Sequence, residues 1–178
     1  MERRTRALLD SLATDPSVLF SRASMFNRLL SRLWQKAPAG LRRLVVRATN
    51  TRFTVTAGAI IFNEAGDVLL LKHFFRAGSG WGLPGGFLKR GEQPLDALRR
   101  ELNEEIGLEI RDVEIFWARS FKRPRQIELL YRAKAIGGAE PRSMEVERAA
   151  WFSPDELPFG LPQDQKLLVD RAVENRRL

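Results

Sequence analysis

The sequence predicts an α/β fold, a sandwich of helices around a mixed sheet with a helical extension in front of it. Three observations carry this. Apolar β-rich runs begin after Arg52, helical patterns lie before, between and after those runs, and the first fifty residues have a charge balance of their own. With 178 residues, 44% of them apolar, the chain can form one well-cored domain plus an appendage. Formal charge is +8, and residues 1–50 hold ten Lys/Arg against three Asp/Glu while 51–178 hold twenty against nineteen. The expected division is therefore a basic amphipathic extension over 1–50 and the main domain over 51–178. Zero cysteines exclude a disulfide framework, a thiolate zinc site and a Cys nucleophile, and fit a cytoplasmic protein best. No apolar run reaches the ~18 to 20 residues of a membrane span. The patch "SVLFSRASMF" is broken by Arg22 and lacks a small-residue cleavage site, so it makes a poor signal peptide.

In chain order, a short helix is expected around Thr5 to Leu12. A second follows from about Pro16 to Lys36, because Asp15-Pro16 reads as an N-cap with a proline at the first helical position. "APAG", residues 37–40, is expected to end it and act as a linker. The stripe of Leu19, Phe26, Leu30 and Leu33 beside Arg22, Arg28, Arg32 and Lys36 is expected to pack on the domain or on a second protomer of a homodimer. Peripheral membrane contact and nucleic-acid contact are the less favoured uses of this basic segment. "TVTAGAIIF", "NEAGD" and "VLLLKHFF" read as strand, turn and strand. A Gly-rich loop from Gly78 to Gly86 then leads to a helix with Pro94 in its first turn and Gly107 just past its end. Further strands are expected at Val113–Phe121, Ile127–Ile136 and Trp151-Phe152, with "KRPRQ" as a hairpin turn between the first two. "SPDEL" suits a helical turn, and a last helix runs from about Gln163 to Glu174.

The helix after the Gly-rich loop carries the most informative pattern, since it places Glu101, Glu104 and Glu105 where their charges repel. At ~100° per residue the three carboxylates occupy about 100° of helix surface, beside an apolar stripe of Leu95, Leu98, Leu102 and Ile106. The helix can lie on a sheet and present acid along the adjoining face. A hard divalent cation such as Mg²⁺ would relieve the repulsion, because it takes oxygen ligands and bridges carboxylates to phosphates. Zinc fits less well in a chain with one His and no Cys. A solvated acidic face balanced by Arg99 and Arg100 has the same local spacing.

The surrounding residues separate these readings. From Gly86 the chain has five residues, Glu92, seven residues, then Arg100-Glu101-Leu102-Asn103-Glu104-Glu105-Ile106-Gly107-Leu108. This resembles the complete Nudix box, GX5EX7REUXEEXGU with U aliphatic, and the likeness extends to "WGLPGG" before it and "WFSPDELP" after it. The resemblance implies a Nudix-type α/β/α sandwich and Mg²⁺- or Mn²⁺-dependent hydrolysis of a nucleoside diphosphate linked to another moiety. It implies Glu101, Glu104 and Glu105 as metal ligands with the Gly85 carbonyl as a further one. Glu104, Glu101, Arg100 and Glu92 would form the catalytic set, with Arg100 orienting a neighbouring carboxylate and Glu92 helping at the helix entrance. Gly86, Trp81 and Arg76 are candidates for substrate binding. The base that deprotonates water is either a box glutamate or one from a later segment, for which Glu128, Glu145 and Glu147 are candidates. His73, the lone histidine, reads as a packed or rim residue. Pro124, sixteen positions after Leu108, is similar to the placement of a proline in the ADP-ribose subgroup. The expected activity is therefore cleavage of an ADP-ribose-like compound, nucleotide sugar or dinucleotide. A nucleoside triphosphate pyrophosphatase of housecleaning type and a non-catalytic nucleotide-sensing or RNA-binding module are the alternatives.

Overall fold

The computed structural model describes residues 27–28 and 30–174. The expected helix at Thr5–Leu12 and the beginning of the one from Pro16 lie outside them. The chain divides between Thr51 and Arg52 into two compact units. In the first, residues 30–36 are helical, a bend at Ala37 and Pro38 interrupts them, and helix α1 follows at Ala39–Thr49. This corrects the reading of "APAG" as a linker, because only its first two residues leave the helix. Pro38 stands at the N-cap of α1, where an amide hydrogen is not needed, and its carbonyl accepts the Arg42 N–H at 3.1 Å. No residue of α1 is buried.

The second unit is built on a seven-stranded mixed sheet: β1 (Thr54–Phe62), β2 (Val68–His73), β3 (Trp81–Gly82), β4 (Gly85–Phe87), β5 (Glu109–Phe121), β6 (Gln126–Ile136) and β7 (Val146–Phe152). Helix α2 (Pro94–Ile106) lies between β4 and β5, and α3 (Gln163–Glu174) ends the described chain. The path runs β3-β2-β1-β6-β5, with β4 paired to β1 and β7 to β2. β1 and β6 are parallel in register from Thr54↔Gln126 to Phe62↔Lys134, and the other pairings are antiparallel.

Strands β1 and β2 are apolar almost throughout because both faces of the sheet are covered. Alternate residues divide between two cores, as a strand's two-residue period requires. Ala57, Ala59, Ile61, Leu69 and Leu71 face α2, packing with Leu98, Leu102 and Ile106. Ile60, Phe62, Val68 and Leu70 face α3, packing with Leu168, Val169 and Ala172. The result is an α/β/α sandwich, each buried leucine or isoleucine contributing roughly 1.5–3 kcal/mol of apolar burial.

The edges of the elements show where local signals were incomplete. β5 begins at Glu109, four residues before the expected Val113. Asp112 adopts a φ of 52°, and pairing with β6 shifts register between Arg111 and Glu114, so the strand continues through an irregularity that reads as a break. β7 begins at Val146 rather than Trp151 and pairs with β2 along its length. The Gly-rich loop contains the short strands β3 and β4. "SPDEL" forms a turn closed by the Glu156 N–H on the Ser153 carbonyl at 2.9 Å.

Candidate active site

Helix α2 fixes the box side chains in place. Pro94 occupies its first turn, and Gly107 ends it in the left-handed region at φ 64°, with its N–H on the Asn103 carbonyl at 3.1 Å. Buried Leu98, Leu102 and Ile106 set the rotation of the helix against the sheet. That rotation gives the three glutamates different surroundings. Glu105 lies at the margin of the apolar stripe and is buried at 8% exposure, while Glu104 on the far side is exposed.

One guanidinium organises the others. Arg100 donates to both carboxylate oxygens of Glu92, at 2.8 Å from Nε and 3.0 Å from Nη2. It also donates to Glu101 at 2.8 Å, to Glu104 at 3.3 Å and to the Phe87 carbonyl at 3.1 Å. The two-pronged contact with Glu92 uses the planar fork that only arginine offers. Hydrogen bonds from Arg100, and then the Lys89 backbone N–H at 2.7 Å, hold the Glu92 carboxyl down at about 2. The same partnership raises the Arg100 pKa further above its ordinary value.

Glu105 differs. Burial pushes its carboxyl up to about 7, with repulsion from Glu101, Glu145 and Glu104 in the same direction and Arg76 opposing. Its Oε2 is buried without a hydrogen-bond partner. Its backbone carbonyl accepts the N–H groups of Arg142 at 2.7 Å and Ser143 at 3.3 Å, and the Ile106 carbonyl accepts the Glu140 N–H. The segment before β7 is thereby fastened to the end of α2, where the last carbonyls lack partners within the helix.

Opposite the helix, β4 brings its backbone close. A Cβ on Gly85, whose φ is 145°, would collide with the Ala57 carbonyl, and one on Gly86 would collide with the Glu101 carboxylate. Both glycines border a cavity of about 190 Å³, whose wall also includes Thr56, Arg76, Gln126 and Glu128. Gln126 is oriented by its Nε2 donating to Thr56 Oγ1 at 2.8 Å. Arg76 covers Gly82, its Nη1 is buried without a partner, and Glu105 and Glu128 are the acids whose fields it feels.

Among the described residues no three His, Cys, Asp or Glu side chains form a ready-made metal cage. One oxygen each of Glu101 and Glu104 is instead engaged by Arg100, and a buried oxygen of Glu105 has no partner. An all-oxygen donor set, an unpartnered buried carboxylate oxygen and a backbone cradle closed to any Cβ fit a hard divalent ion.

The remaining candidates are dispersed. Glu147 is paired with Lys72 at 2.8 Å, and Glu128 is bound by Arg119, which also holds Asp164. The exposed Glu145 carboxylate makes no ion pair among the described residues, and it is near enough to Glu105 to repel it. Trp81 does not line the cavity. Its ring meets Phe152 edge-on at 5.0 Å beside the α3-side core, the face to which strand alternation directs it. His73 is half-buried, and burial followed by the Arg76 charge lowers its pKa to about 4. The sequence does not single out Lys89, nor Thr56, Gln126 and Gln165 of the cavity wall, the last accepting the Leu83 N–H at 2.8 Å. Lys89 occupies a position the box motif leaves free, and the others come from strands and a helix whose register the sequence does not show.

A family profile described as NUDIX domain matches residues 52–172. The chain belongs to the Nudix hydrolase family. It is 31% identical over 105 residues to a MutT-like protein of Streptomyces ambofaciens, covering 58% of this chain and 66% of that protein. It is 31% identical over 127 residues to the NAD-capped RNA hydrolase NudC of Pseudomonas fluorescens, covering 68% of this chain and 46% of that one. The chain thus spans less than two thirds of either relative. The crystal structure of the MutT NUDIX hydrolase from Burkholderia pseudomallei is similar with a TM-score of 0.61 at 25% identity, over 67% of this chain and 98% of that one. The Nudix unit here contains both the Arg100 cluster and the glycine cradle.

Proposed function

We propose that residues 51–178 form the catalytic unit of a pyrophosphatase that cleaves the diphosphate linkage of a nucleoside diphosphate derivative, with Mg²⁺ or Mn²⁺ as cofactor. The observation that supports this best is the Arg100-held Glu101 carboxylate set against Gly86, with the buried, unpartnered Glu105 oxygen one turn further along the same helix. Glu101, Glu104, Glu105 and the Gly85 carbonyl hold the metal in this reading. When bound, a divalent cation neutralises diphosphate charge and lowers the pKa of a coordinated water.

The chain's own residues do the rest. Arg100 keeps Glu101 and Glu104 from splaying apart, and Glu92 anchors the guanidinium that does so. Arg76, which lines the cavity, supplies positive charge toward the substrate's phosphate oxygens. Gly86 leaves room for the Glu101 carboxylate itself, which a Cβ there would displace. Glu145 accepts the water proton, since Glu128 and Glu147 are committed to ion pairs. NAD, named in one relative, contains a diphosphate bridge of the proposed class.

The test is phosphate and nucleotide release from ADP-ribose, nucleotide sugars, dinucleotides and nucleoside triphosphates, with and without Mg²⁺ or Mn²⁺. Metal-dependent cleavage of the bridged compounds is expected. Nucleoside monophosphate plus pyrophosphate from triphosphates alone would reassign the substrate class, and absence of turnover on the whole panel would leave a binding module.

A further inference from the structure

The first unit has a chemistry that the hydrolytic site does not use. From Pro16 to Thr51 the sequence has seven Lys/Arg and no Asp/Glu. Leu30, Leu33 and Trp34 of the helical stretch 30–36 are exposed, as are Leu41, Leu44 and Val45 of α1. At ~100° per residue the first three fall within about 100° of one another, with Arg32 and Lys36 on the opposite side. The pattern recurs eleven residues later, where Leu41, Leu44 and Val45 take the apolar positions and Arg43 and Arg47 the basic ones. A bend at Ala37 and Pro38 separates the two copies.

We propose that this basic helical arm lies on an anionic membrane surface, with its apolar stripes at the headgroup boundary and its cations among the lipid phosphates. Helices that lie in this plane pair Lys and Arg on one face with Trp and Leu on the other. Trp34 is the residue type enriched at that depth. Among the described residues no helix is long and apolar enough to cross a membrane, so the arm binds the surface. Charge selects this occupant over two others. A second copy would bring the six Lys/Arg of residues 27–50 against six more, with no acid in either segment. A nucleic acid would neutralise the cations and leave both apolar stripes in water.

The test uses the full chain, sedimented with vesicles of phosphatidylcholine alone or mixed with phosphatidylglycerol, at ~0.1 M salt, where the screening length is about 10 Å. One variant combines Leu33→Gln, Trp34→Gln, Leu44→Gln and Val45→Gln, keeping every charge. The other combines Arg32→Gln, Lys36→Gln, Arg43→Gln and Arg47→Gln, keeping the stripes. Binding is expected only with anionic vesicles. Each cation near such a surface contributes roughly a fivefold gain, so the charge variant should lose about 10²-fold or more. The apolar variant should lose at least about tenfold, and both should keep the parent's melting temperature and hydrolytic rate, since every substituted residue is exposed. Failure to bind anionic vesicles, or equal binding to neutral ones, overturns the proposal. Duplex DNA binding that survives the apolar substitutions without any vesicle binding overturns it in favour of nucleic acid. A dimer seen by light scattering that the apolar substitutions abolish, again without vesicle binding, overturns it in favour of self-association.

Discussion

Helices α1 and α2 are of similar length, 11 and 13 residues, and each gathers charge of one sign beside an apolar stripe. Their surroundings are opposite. The stripe of α2 is buried against the sheet and Arg100 draws its acids together, whereas α1 buries nothing and has no acid of its own. An amphipathic pattern therefore tells that a face needs covering, and the location of the opposite charge tells by what. For α2 part of that charge lies within the helix, and a buried carboxylate oxygen of Glu105 is left without a partner. For α1 the sequence supplies none nearby.

The comparison breaks most visibly at the acids of α2. Glu104→Gln removes a charge while keeping shape, and turnover should fall by about three orders of magnitude or more, equivalent to about 4 kcal/mol, with circular dichroism unchanged. Full turnover at saturating Mg²⁺ would remove Glu104 from the metal site. Next in size is the covered stripe: Leu102→Ala should cost about 2–5 kcal/mol in denaturant unfolding, because it opens a hole between α2 and β1.

A pH dependence of stability, on the order of 1–3 kcal/mol, should follow from Glu105 when no divalent ion is present. Its folded carboxyl titrates at about 7 against 4.5 in the unfolded chain, so the protonated form favours folding fully below about pH 4.5. That contribution is lost as pH rises through about 7. Glu105→Gln should therefore become more stable relative to the parent between pH 5 and 8, and parallel melting curves across that range would contradict the assignment. Smallest is the uncovered stripe, where Leu44→Ala should change unfolding free energy by no more than about 0.5 kcal/mol. A loss as large as that of Leu102→Ala would mean that α1 is a core helix after all.

Legibility in the sequence followed how local each determinant is. "TVTAGAIIF" gives both covered faces of β1, and Pro94 and Gly107 give the two ends of α2, because each signal acts within a few residues. The box gave the identities of Glu92, Arg100, Glu101, Glu104 and Glu105. The burial that sets Glu105 apart from Glu104 required the rotation of α2 on the sheet, which depends on partners as far away as Leu69 and Leu71. The role of Arg76 over Gly82 and the commitment of Glu128 to Arg119 come from strands joined through the sheet. Helix α1 was missed for a local reason, since Pro and Gly in "APAG" read as breakers while Pro38 only precedes the helix and Gly40 sits in its first turn.

The fastening of Arg142 and Ser143 to the Glu105 carbonyl makes the site mechanically a two-piece device. The last turn of α2 and the segment leading to Glu145 are joined through these backbone hydrogen bonds and form one piece. Gly85 belongs to the other piece, pinned through its pairing with Gly58 in β1. Arg100 joins the two pieces through the Phe87 carbonyl of β4, so a substrate or ion that touches both meets a spacing already set by the protein.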